Sequence, residues 1–508
     1  MAEPHEPGTR TAPNGEPYRA APIGLLRLAS PEKEALFATA FAGQPDREGG
    51  CFARFGWRLT GSHLAVTLAA IDTPQPGDIE GGGAEITVTA NALRRAALAA
   101  EGHPLAVGFI HAHPAGVAPK PSAADDEMDR YMAGYFADLV PGRPFVSLIV
   151  SKVGGDAAVH GRIFHGGAWH DIGRVAAERD PTVVAWPHGE PPPEPPIPPE
   201  RVARLTSAFG REAYQRLQRS TVALIGAGGT GSAAIPILAR AGVGRLIIID
   251  SDHASESNLE RLHGSTPADV ANRVPKVTIA KRSVAEYAPG TVVEAINGRL
   301  PQPDVLDAVL QADVLMGCTD QHSSRMAVAD IATRYLIPAV DCGGLIEGRD
   351  GIVTGQLVQI VRFLAADPCP RCRGMISATR VMQEMLPVAD RLAPADQAAM
   401  AAARGERPDP ILTAVPQIDT VGYITTTAGT LAAGFVIGWL TGRFSPPSSG
   451  CSWTWYRTAW APWTGRSGPG RDAAAPPRGA MPTRRPARPH SSRPPTGLPQ
   501  SGSKTVRL

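Results

Sequence analysis

Two histidines and an aspartate in the first third of the chain have the spacing of a metal-binding site. His111 and His113 end the apolar run LAVGFIHAHP, and alternate residues of a strand point to the same face. Asp125 follows in PSAADDEMDRYM, three residues after Ser122 at a predicted helix start. Two imidazoles, one carboxylate and a water molecule make up an open catalytic zinc site. The pattern therefore predicts metal-dependent hydrolysis.

A metal-activated water also needs a base, and Glu48 in REGGCFARFG is the best candidate. It precedes a predicted strand that could lie beside the histidines. Three other glutamates also lie upstream of the histidines, namely Glu32, Glu34 and Glu85. The choice among these four glutamates stays open at this point.

The same residues have ordinary structural explanations. Ser122 and Asp125 also suit a helix capping box with an acid in the first turn. His-Ala-His alone could be a pair on the surface. Both features occur within fifteen residues and follow an apolar strand, and this combination favours the metal site.

Together these residues resemble the JAB/MPN metalloprotease family, whose zinc site is the JAMM motif. The resemblance covers residues 23–178 and implies a mixed α/β, cytidine-deaminase-like domain. It implies cleavage of isopeptide or peptide bonds at the C-terminus of ubiquitin-like proteins. The implied roles are zinc binding for His111, His113 and Asp125, water activation for Glu48 and oxyanion stabilisation for Ser122. Eight residues separate His113 from Ser122 where the family usually has seven, and the extra residue falls in a Pro/Gly loop.

Glycines in the second half of the chain form a candidate phosphate-binding loop. Gly226-Ala-Gly228-Gly229-Thr-Gly231 follows the β-rich run TVALI and opens a predicted helix. Residues without side chains let phosphates approach the backbone N–H groups at a helix N-terminus. Asp250 ends the next predicted strand, where a carboxylate can hold ribose hydroxyls. To this point the pattern suits an NAD-binding Rossmann unit equally well.

Polar and basic residues beyond this loop favour ATP over NAD as the nucleotide. Asn258 and Arg261 in SNLERL, followed by Lys276, suit a triphosphate and a developing charge at phosphorus better than a nicotinamide. Asp320 ends the apolar run ADVLMGCTD, where a carboxylate is well placed for magnesium. The segment therefore predicts ATP and Mg²⁺ as ligands.

The motifs GAGGTG, IDSDHASESNLERL, Lys276 and CTD occur in the order of the ThiF/MoeB family and resemble it strongly. This family is the adenylating core shared with ubiquitin-activating enzymes, and the resemblance covers residues 201–443 with a Rossmann-like fold. It implies that the C-terminal glycine of a ubiquitin-like protein attacks the α-phosphorus of ATP. The implied contacts are phosphate for the four glycines, Asn258, Arg261 and Lys276, ribose for Asp250, and magnesium for Asp320. Arg204 resembles an arginine that many members insert into the partner protomer's ATP site, so a homodimer is expected.

The cysteines depart from the family pattern. The family often holds a structural zinc with two Cys-x-x-Cys pairs, and Cys369 and Cys372 supply one of them. Only Cys451 follows, so this second zinc site has an incomplete ligand set. Some relatives carry a thioester cysteine before the last helix, in a segment that contains none here. Cys318 and Cys342 are interpreted as small packed residues, and thioester transfer from this chain is doubtful.

Composition divides the 508-residue chain into a folded body and proline-rich segments. Five Pro in residues 1–22 predict a disordered leader that lacks the features of a signal peptide. Nine Pro in residues 179–200 predict an extended spacer between two domains. Residues 444–508 hold twelve Pro, ten Lys and Arg and one acid, which predicts a disordered tail. A reading-frame change explains this basic tail better than an interaction arm does.

Charge and cysteine content exclude several classes of protein. The net charge of +2 combines a tail of +9 with a body of −7, which argues against wrapping by nucleic acid. Six Cys in so long a chain cannot form a disulfide framework, so a cytoplasmic location is expected. Residues 420–441 carry no charge and are long enough to cross a bilayer, but four Gly and six Thr favour a buried helix. Neither a nucleic acid nor a membrane is expected as a partner.

The two sets of residues lie on predicted elements of an α/β protein with two domains. The first domain mixes strands such as CFARFGWRL and HLAVTLAAI with helices, and the second begins with a helical segment before strand, glycine loop, helix and strand. We expect ATP-dependent adenylation of a ubiquitin-like or sulfur-carrier protein, fused to a zinc peptidase that acts on the same C-terminus. One alternative is an enzyme of sulfur or cysteine metabolism that works on a sulfur carrier. Another is a scaffold that binds a ubiquitin-like protein without turnover.

Overall fold

The computed structural model describes residues 23–40, 48–60, 63–81, 86–154, 156–177, 183–191, 199–349, 352–385, 401–405, 420–444 and 451–456. One compact unit comprises Met1–Gly465, and Arg466–Leu508 form a second unit that lies outside the described residues. The predicted disorder of residues 1–22 also falls outside them.

The N-terminal domain is a mixed sheet with helices packed on it. In the described part of this domain the strand order is β10-β8-β7-β6-β2-β3-β1-β9, and β8 also pairs with β9. The strands are β1 (Ile23–Leu28), β2 (Gly49–Leu59), β3 (His63–Ile71), β4 (Ile79–Gly81), β5 (Ile86–Val88), β6 (Ala106–Ala112), β7 (Phe145–Val153), β8 (Asp156–His165), β9 (Ala168–Ala177) and β10 (Val183–Ala185). The helices are α1 (Ser30–Ala40), α2 (Ala90–Ala100) and α3 (Ala123–Leu139). The short strands β4 and β5 pair with each other.

Strand β6 lies in the middle of this sheet because it is apolar on both faces. Every residue of AVGFIHA is buried. Val107 and Phe109 pack with α2 and α3 on one side, while Ala106 and Ile110 belong to a second core on the other side. A continuous apolar run is typical of a strand covered on both faces. The predicted strand is confirmed as far as Ala112, so His111 lies on it and His113 is the first residue after it.

The C-terminal domain is a doubly wound sheet. In the described residues its strand order is β13-β12-β11-β14-β15-β16-β17, in which β11 to β15 are parallel. The strands are β11 (Thr221–Ile225), β12 (Arg245–Ile249), β13 (Val292–Ile296), β14 (Val314–Gly317), β15 (Ala339–Arg349), β16 (Ile352–Phe363) and β17 (Cys451–Tyr456). The helices are α4 (Ala203–Phe209), α5 (Arg211–Arg219), α6 (Gly229–Ala241), α7 (Pro267–Ala271), α8 (Lys276–Tyr287), α9 (Pro303–Val309), α10 (His322–Tyr335), α11 (Ala378–Met385) and α12 (Gly422–Leu440). One apolar core holds α6, α8 and α12 on one face of the sheet, and another holds α9 and α10 on the opposite face.

The uncharged segment near the end of this domain forms α12. It is one helix, among the described residues, that is long and apolar enough to cross a membrane by length and composition. Its residues Ala428, Ala432 and Val436 are fully buried, and the helix packs against α6 and β15. This burial is that of a core helix, as the glycine and threonine content predicted.

Two predicted boundaries need correction. Val183–Ala185 pair in parallel with β8, so the first part of the predicted spacer 179–200 belongs to the N-terminal sheet. The run TVVAW is β-branched and apolar and precedes most of the prolines, which explains the pairing. Cys451–Tyr456 pair with β16, so the predicted tail 444–508 begins within the second sheet. The alternating run CSWTWY is rich in strand-forming residues.

Three arginines of the N-terminal domain contact helix α9 of the C-terminal domain and the turn between α9 and β14. Buried Arg27 donates to the backbone oxygens of Leu310 (2.5 Å) and Ala312 (3.2 Å). Arg174 pairs with Asp313, and Arg58 pairs with Asp307 at 2.8 Å. All four partner residues precede β14 in the chain. The two domains therefore meet at the amino end of this central strand of the second sheet.

Candidate functional site

The structure brings together the three residues predicted to bind a metal. His111, His113 and Asp125 are all buried, and their candidate ligand atoms lie within 4.8 Å of one another. Asp125 Oδ1 lies 3.2 Å from His111 Nε2, and Asp125 Oδ2 lies 3.9 Å from His113 Nε2. Such distances suit three ligands that converge on one cation.

Helix α3 places Asp125 through its cap. Ser122 is the N-cap, its hydroxyl accepts the N–H of Asp125 at 3.2 Å, and Asp125 Oδ2 accepts the N–H of Ser122 at 2.6 Å. The predicted capping box is confirmed, and it coexists with the metal-site geometry because Oδ1 faces His111. Arg162 of β8 holds the next turn of the helix by donating to Asp126 (2.6 Å) and Asp129 (2.7 Å).

The loop after β6 orients the second histidine. Nδ1 of His113 lies 2.9 Å from the backbone oxygen of Ala118, which favours a proton on Nδ1 and leaves Nε2 to face the site. Ser151 of β7 holds the same loop by donating to the backbone oxygen of Val117 at 2.5 Å. The imidazole therefore has the orientation that a metal ligand requires.

Strand pairing places Glu48 beside the histidines. Gly49 pairs with Ala112 across β2 and β6, so Glu48 lies opposite His113. Its Oε1 is 4.0 Å from His113 Nε2, and its side chain is one-tenth exposed. Glu34 is exposed on α1, whereas the side chains of Glu32 and Glu85 lie outside what the structure describes.

The electrostatics of this cluster fit a cation. Burial alone would raise the pKa of Asp125, but its contacts with His111 and Ser122 hold that pKa well below the usual range. Although Asp125 is close, neither ring nitrogen of His111 has a properly aligned hydrogen-bond partner among the described residues. A buried imidazole whose ring nitrogens lack an aligned hydrogen bond, next to a carboxylate, fits a zinc ligand set.

The second candidate site is a cleft of about 590 Å³ at the carboxyl ends of β11, β12 and β14. This edge is where doubly wound sheets bind ligands. The sequence-predicted residues that line it are Gly226, Gly228, Gly229, Asp250, Asn258, Arg261, Lys276 and Asp320. Gly231 and Arg204 are not in the lining, and neither are the two cysteines of the Cys-x-x-Cys pair. Arg204 is exposed on α4.

The glycines of the loop differ in how strongly the structure requires them. Gly226 has φ +102°, and a Cβ on it would lie 2.7 Å from the backbone oxygen of Cys318. A Cβ on Gly231 would lie 1.9 Å from the backbone oxygen of Gly226, so this glycine closes the turn. Gly228 is the N-cap of α6, and a Cβ there would meet nothing within 4 Å. The loop thus leaves open space where phosphates would approach the helix N-terminus.

Two aspartates connect the loop to a lysine. Asp250 accepts the N–H groups of Ala227 (2.7 Å) and Asp252 (2.8 Å), so it fastens the glycine loop to the end of β12. Burial raises the pKa of Asp250, although Lys276 and these N–H groups oppose the shift. Lys276 donates to Asp252 at 2.8 Å. Sequence reasoning missed Asp252, even though it stands two residues after Asp250.

Arg261 and Asn258 lie in the turn that follows β12. Arg261 donates to the backbone oxygen of Ser257 at 2.7 Å and also contacts Glu260. Asn258 caps this turn by accepting the N–H of Ser255 at 3.3 Å. These local contacts hold both side chains at the mouth of the cleft.

Further charged residues of the cleft carried no sequence signal. Arg325 lies in the first turn of α10, five residues after Asp320, and its Nε is 3.4 Å from a carboxylate oxygen of Asp341 on β15. Arg299 and Arg380 also line the cleft. Asp320 itself is exposed on the cleft wall, where one carboxylate can share a magnesium ion with phosphates.

Four cysteines of the C-terminal domain form two close pairs. Sγ of Cys318 lies 3.7 Å from Sγ of Cys342 at the floor of the cleft, and the contact with Cys318 together with burial raises the pKa of Cys342. A buried thiol with a raised pKa is a poor nucleophile, in agreement with their interpretation as packed residues. Cys369 and Cys372 are exposed with their sulfurs 3.5 Å apart. They can supply two ligands of a tetrahedral zinc site.

Residues 201–454, half of the chain, match the family model described as the ThiF family. The match extends past the predicted boundary at 443 and through most of β17. The first part of the predicted tail therefore belongs to the domain.

Named relatives match the chain in part. The adenylyltransferase and sulfurtransferase UBA4 of Debaryomyces hansenii is 32% identical over 169 residues, which are 33% of this chain and 36% of the relative. The SAMP-activating enzyme E1 of Haloferax volcanii is 32% identical over 168 residues, 33% of this chain and 58% of the relative. A probable molybdopterin-synthase adenylyltransferase of Porphyra purpurea is 34% identical over 119 residues, 23% of this chain and 31% of the relative. The chain thus spans between about a third and three-fifths of the length of these relatives.

Among solved structures, E. coli MccB aligns with a TM-score of 0.39 at 17% identity, over 52% of this chain and 68% of that chain. PaaA aligns with a TM-score of 0.37 at 18% identity, over 52% of this chain and 80% of that chain. Nothing further rests on likenesses of this size.

Proposed function

Because the chain belongs to the ThiF family, we propose that its second domain adenylates the C-terminal glycine of a ubiquitin-like or sulfur-carrier protein. The observation that carries the proposal is the single cleft lined by eight of the residues that the sequence indicated. The names of two relatives support this class of substrate, since one is a SAMP-activating enzyme E1 and another a molybdopterin-synthase adenylyltransferase.

In the proposed reaction the glycine loop holds the phosphates of ATP at the N-terminus of α6, and Asp250 holds the ribose. A carboxylate oxygen of the carrier's glycine forms a bond to the α-phosphorus, and the bond from that phosphorus to the bridging oxygen breaks. Arg261, Lys276 and Asn258 stabilise the charge that moves onto the departing pyrophosphate. Asp320 would hold the magnesium ion, which shields the phosphates. The products are an acyl-adenylate and pyrophosphate.

The test is ATP–pyrophosphate exchange in the presence of each ubiquitin-like protein that the source genome encodes. Arg261→Ala should lower the exchange rate at least 100-fold, because loss of a charged transition-state contact costs about 3 kcal/mol or more. Arg334→Ala, which removes an exposed arginine of α10, is the matched control and should leave the rate unchanged. Exchange that persists in Arg261→Ala, or that no carrier supports, would contradict the proposal.

We further propose that the N-terminal domain is a zinc-dependent peptidase of the JAB/MPN type that acts on the C-terminus of the same carrier. The buried cluster of His111, His113 and Asp125 supports this, with Glu48 as a fourth group. Zinc, when bound, supplies Lewis acidity toward the scissile carbonyl and the attacking water. Glu48 takes the proton of that water and passes it to the leaving amine. The hydroxyl of Ser122 accepts from the N–H of Asp125, so its own proton is available to the oxyanion.

A substrate that is specifically a sulfur carrier is the second candidate, and the relative UBA4, which is named a sulfurtransferase as well as an adenylyltransferase, favours it. In this version the sulfur of a donor forms a bond to the carbonyl carbon of the acyl-adenylate and AMP leaves, and the peptidase would release an amino acid from the carrier. Exchange supported by a sulfur carrier but by no other ubiquitin-like protein would select this version.

Three further assignments belong to the same proposal. Arg204, exposed on α4, would enter the ATP site of a partner subunit in a homodimer. Cys369 and Cys372 would hold a second, structural zinc together with ligands from elsewhere. A cytoplasmic location agrees with five described cysteines that are all free thiols.

A further inference from the structure

The turn that follows β10 is fastened to the N-terminal domain from several sides. Trp186 donates its N–H to the backbone oxygen of Val159 at 2.8 Å, and its own oxygen lies 3.2 Å from Nδ1 of His160. His188 pairs with Asp171 of β9 at 2.9 Å. The turn Pro187–Gly189 is thus held in one place, although it lies within the predicted spacer.

Gly189 brings this turn against the loop of the metal site. Its φ is +71°, and a Cβ built on it would lie 2.4 Å from the Cα of Lys120. Gly189 is buried, so the close approach is between backbones rather than between flexible side chains. Lys120 belongs to the loop between His113 and Ser122.

A shift of the backbone at Lys120 would move two residues that orient metal ligands. Two residues before it, the backbone oxygen of Ala118 orients His113 through Nδ1. Two residues after it, Ser122 caps α3 and holds Asp125. A loop of eight residues, 114–121, links the two, and the turn packs on it directly.

We propose that the turn Pro187–Gly189 is a positioning element of the metal site, so that the segment joining the two domains also sets the ligand geometry. This inference rests on the proposed zinc site. It assigns the turn no contact with substrate; the turn acts only through the loop 114–121. Groups that orient metal ligands typically change metal affinity by about 10- to 100-fold when they are disturbed.

The test compares Gly189→Ala with Gly142→Ala in the full chain. Gly142 also has a positive φ, +77°, but a Cβ there meets nothing within 4 Å, so both variants carry similar backbone strain. Zinc affinity is measured by competition with a chromophoric chelator, and ligand geometry by the visible spectrum of the Co²⁺-loaded protein. Gly189→Ala should bind zinc at least tenfold more weakly than Gly142→Ala and should shift the Co²⁺ spectrum. Nucleotide affinity of the second domain should be equal in both.

Equal zinc affinity and identical Co²⁺ spectra in the two variants would overturn the inference. A wild-type protein that binds no zinc would instead contradict the proposed peptidase, and the inference with it. If Gly189→Ala does not fold, His188→Ala decides, because that side chain is three-quarters exposed and its loss loosens the turn without overpacking. His188→Ala should weaken zinc binding two- to fivefold, and unchanged affinity would count against the positioning role.

Discussion

Asp341 is a carboxylic acid in surroundings that disfavour its charge. The side chain is 2% exposed, and Oδ1 has no hydrogen-bond partner among the described residues. Burial raises the pKa of Asp341 to about 6, although Arg325 opposes the shift. The residue lies under the cleft, next to Gly317 at the end of β14. Its ionisation should therefore affect stability at mildly acidic pH.

The pKa of Asp341 is 3.8 in its ordinary state and about 6 in the folded protein, so the folded state retains a proton that the unfolded state has lost. Stability from this group is full below about pH 4 and falls as the pH rises to about 6. Asp341→Asn removes this titration. The midpoint of thermal unfolding of the variant, minus that of the wild type, should increase between pH 4 and 6 and stay constant above 7.

Asp330→Asn is the control for Asp341, because Asp330 is half exposed in an i,i+4 pair with Arg334. Its midpoint difference from the wild type should not change in this pH window. If the difference in unfolding midpoint between Asp341→Asn and the wild type does not change with pH, burial does not raise the pKa of Asp341.

Residue types and local spacing predicted the side chains that short segments bring together. His111 on β6 and His113 directly after it keep the alternation of a strand, and Ser122 and Asp125 belong to one helix start, so local periodicity was enough. Asp341 and Arg325 meet only through the pairing of β15 with β14, which neither segment indicates by itself. Glu48 was between these cases, because its place opposite His113 depends on the register of β2 with β6.

At the scale of elements, the turn between α9 and β14 joins the two domains. Asp313 pairs with Arg174 of β9 through one oxygen and accepts the N–H of Thr221, the first residue of β11, through the other at 2.8 Å. Its charge also opposes the lowering of the pKa of Arg27 that burial causes. One carboxylate therefore supports both the interface and the start of the central strand.

Asp313→Ala should destabilise the protein by about 2 to 3 kcal/mol, because it leaves Arg27 and Arg174 without their counter-charge. Calorimetric unfolding measures the loss, with Asp330→Ala as the exposed control, for which little change is expected. Combining Asp313→Ala with Arg174→Met isolates the interdomain part through a double-mutant cycle. Strictly additive effects would mean that this pair does not stabilise the interface.

The order of strands and helices in the second domain was predictable, but the ends of both domains were not. The glycine loop after TVALI and the apolar runs at β12 and β14 have the periodicity of a doubly wound sheet. Proline content suggested that the spacer began at 179, whereas the apolar run Val183–Ala185 pairs with β8. The strand Cys451–Tyr456 was hidden by the basic, proline-rich composition around it.

At the scale of the whole molecule, the two sites face away from the domain interface. Glu48 precedes β2 and Arg58 lies near its end, so about 30 Å of strand separate the metal cluster from the contact with Asp307. Asp313 precedes β14 and Asp320 follows it, so the cleft lies at the other end of that strand. Among the described residues, the contacts of Arg27, Arg58 and Arg174 across the interface involve no residue of either candidate site.

This separation predicts that each proposed activity survives loss of the other. Glu48→Gln should abolish isopeptide cleavage while ATP–pyrophosphate exchange stays within about twofold of the wild type. Arg261→Ala should have the reverse effect, and both variants should bind zinc like the wild type. A tenfold loss of exchange in Glu48→Gln would show that the sites are coupled.

The interface at the amino end of β14 also governs how a carrier protein would travel between the two reactions. A flexible tail of six residues spans about 20 Å, which is less than the strand length on the peptidase side alone. If one carrier serves both proposed reactions, it would have to dissociate from one site and mix with the surrounding population before it reached the other. The rate at each site would then depend on the concentration of free carrier, without direct transfer between the sites. Two carriers could also be bound to one chain at the same time.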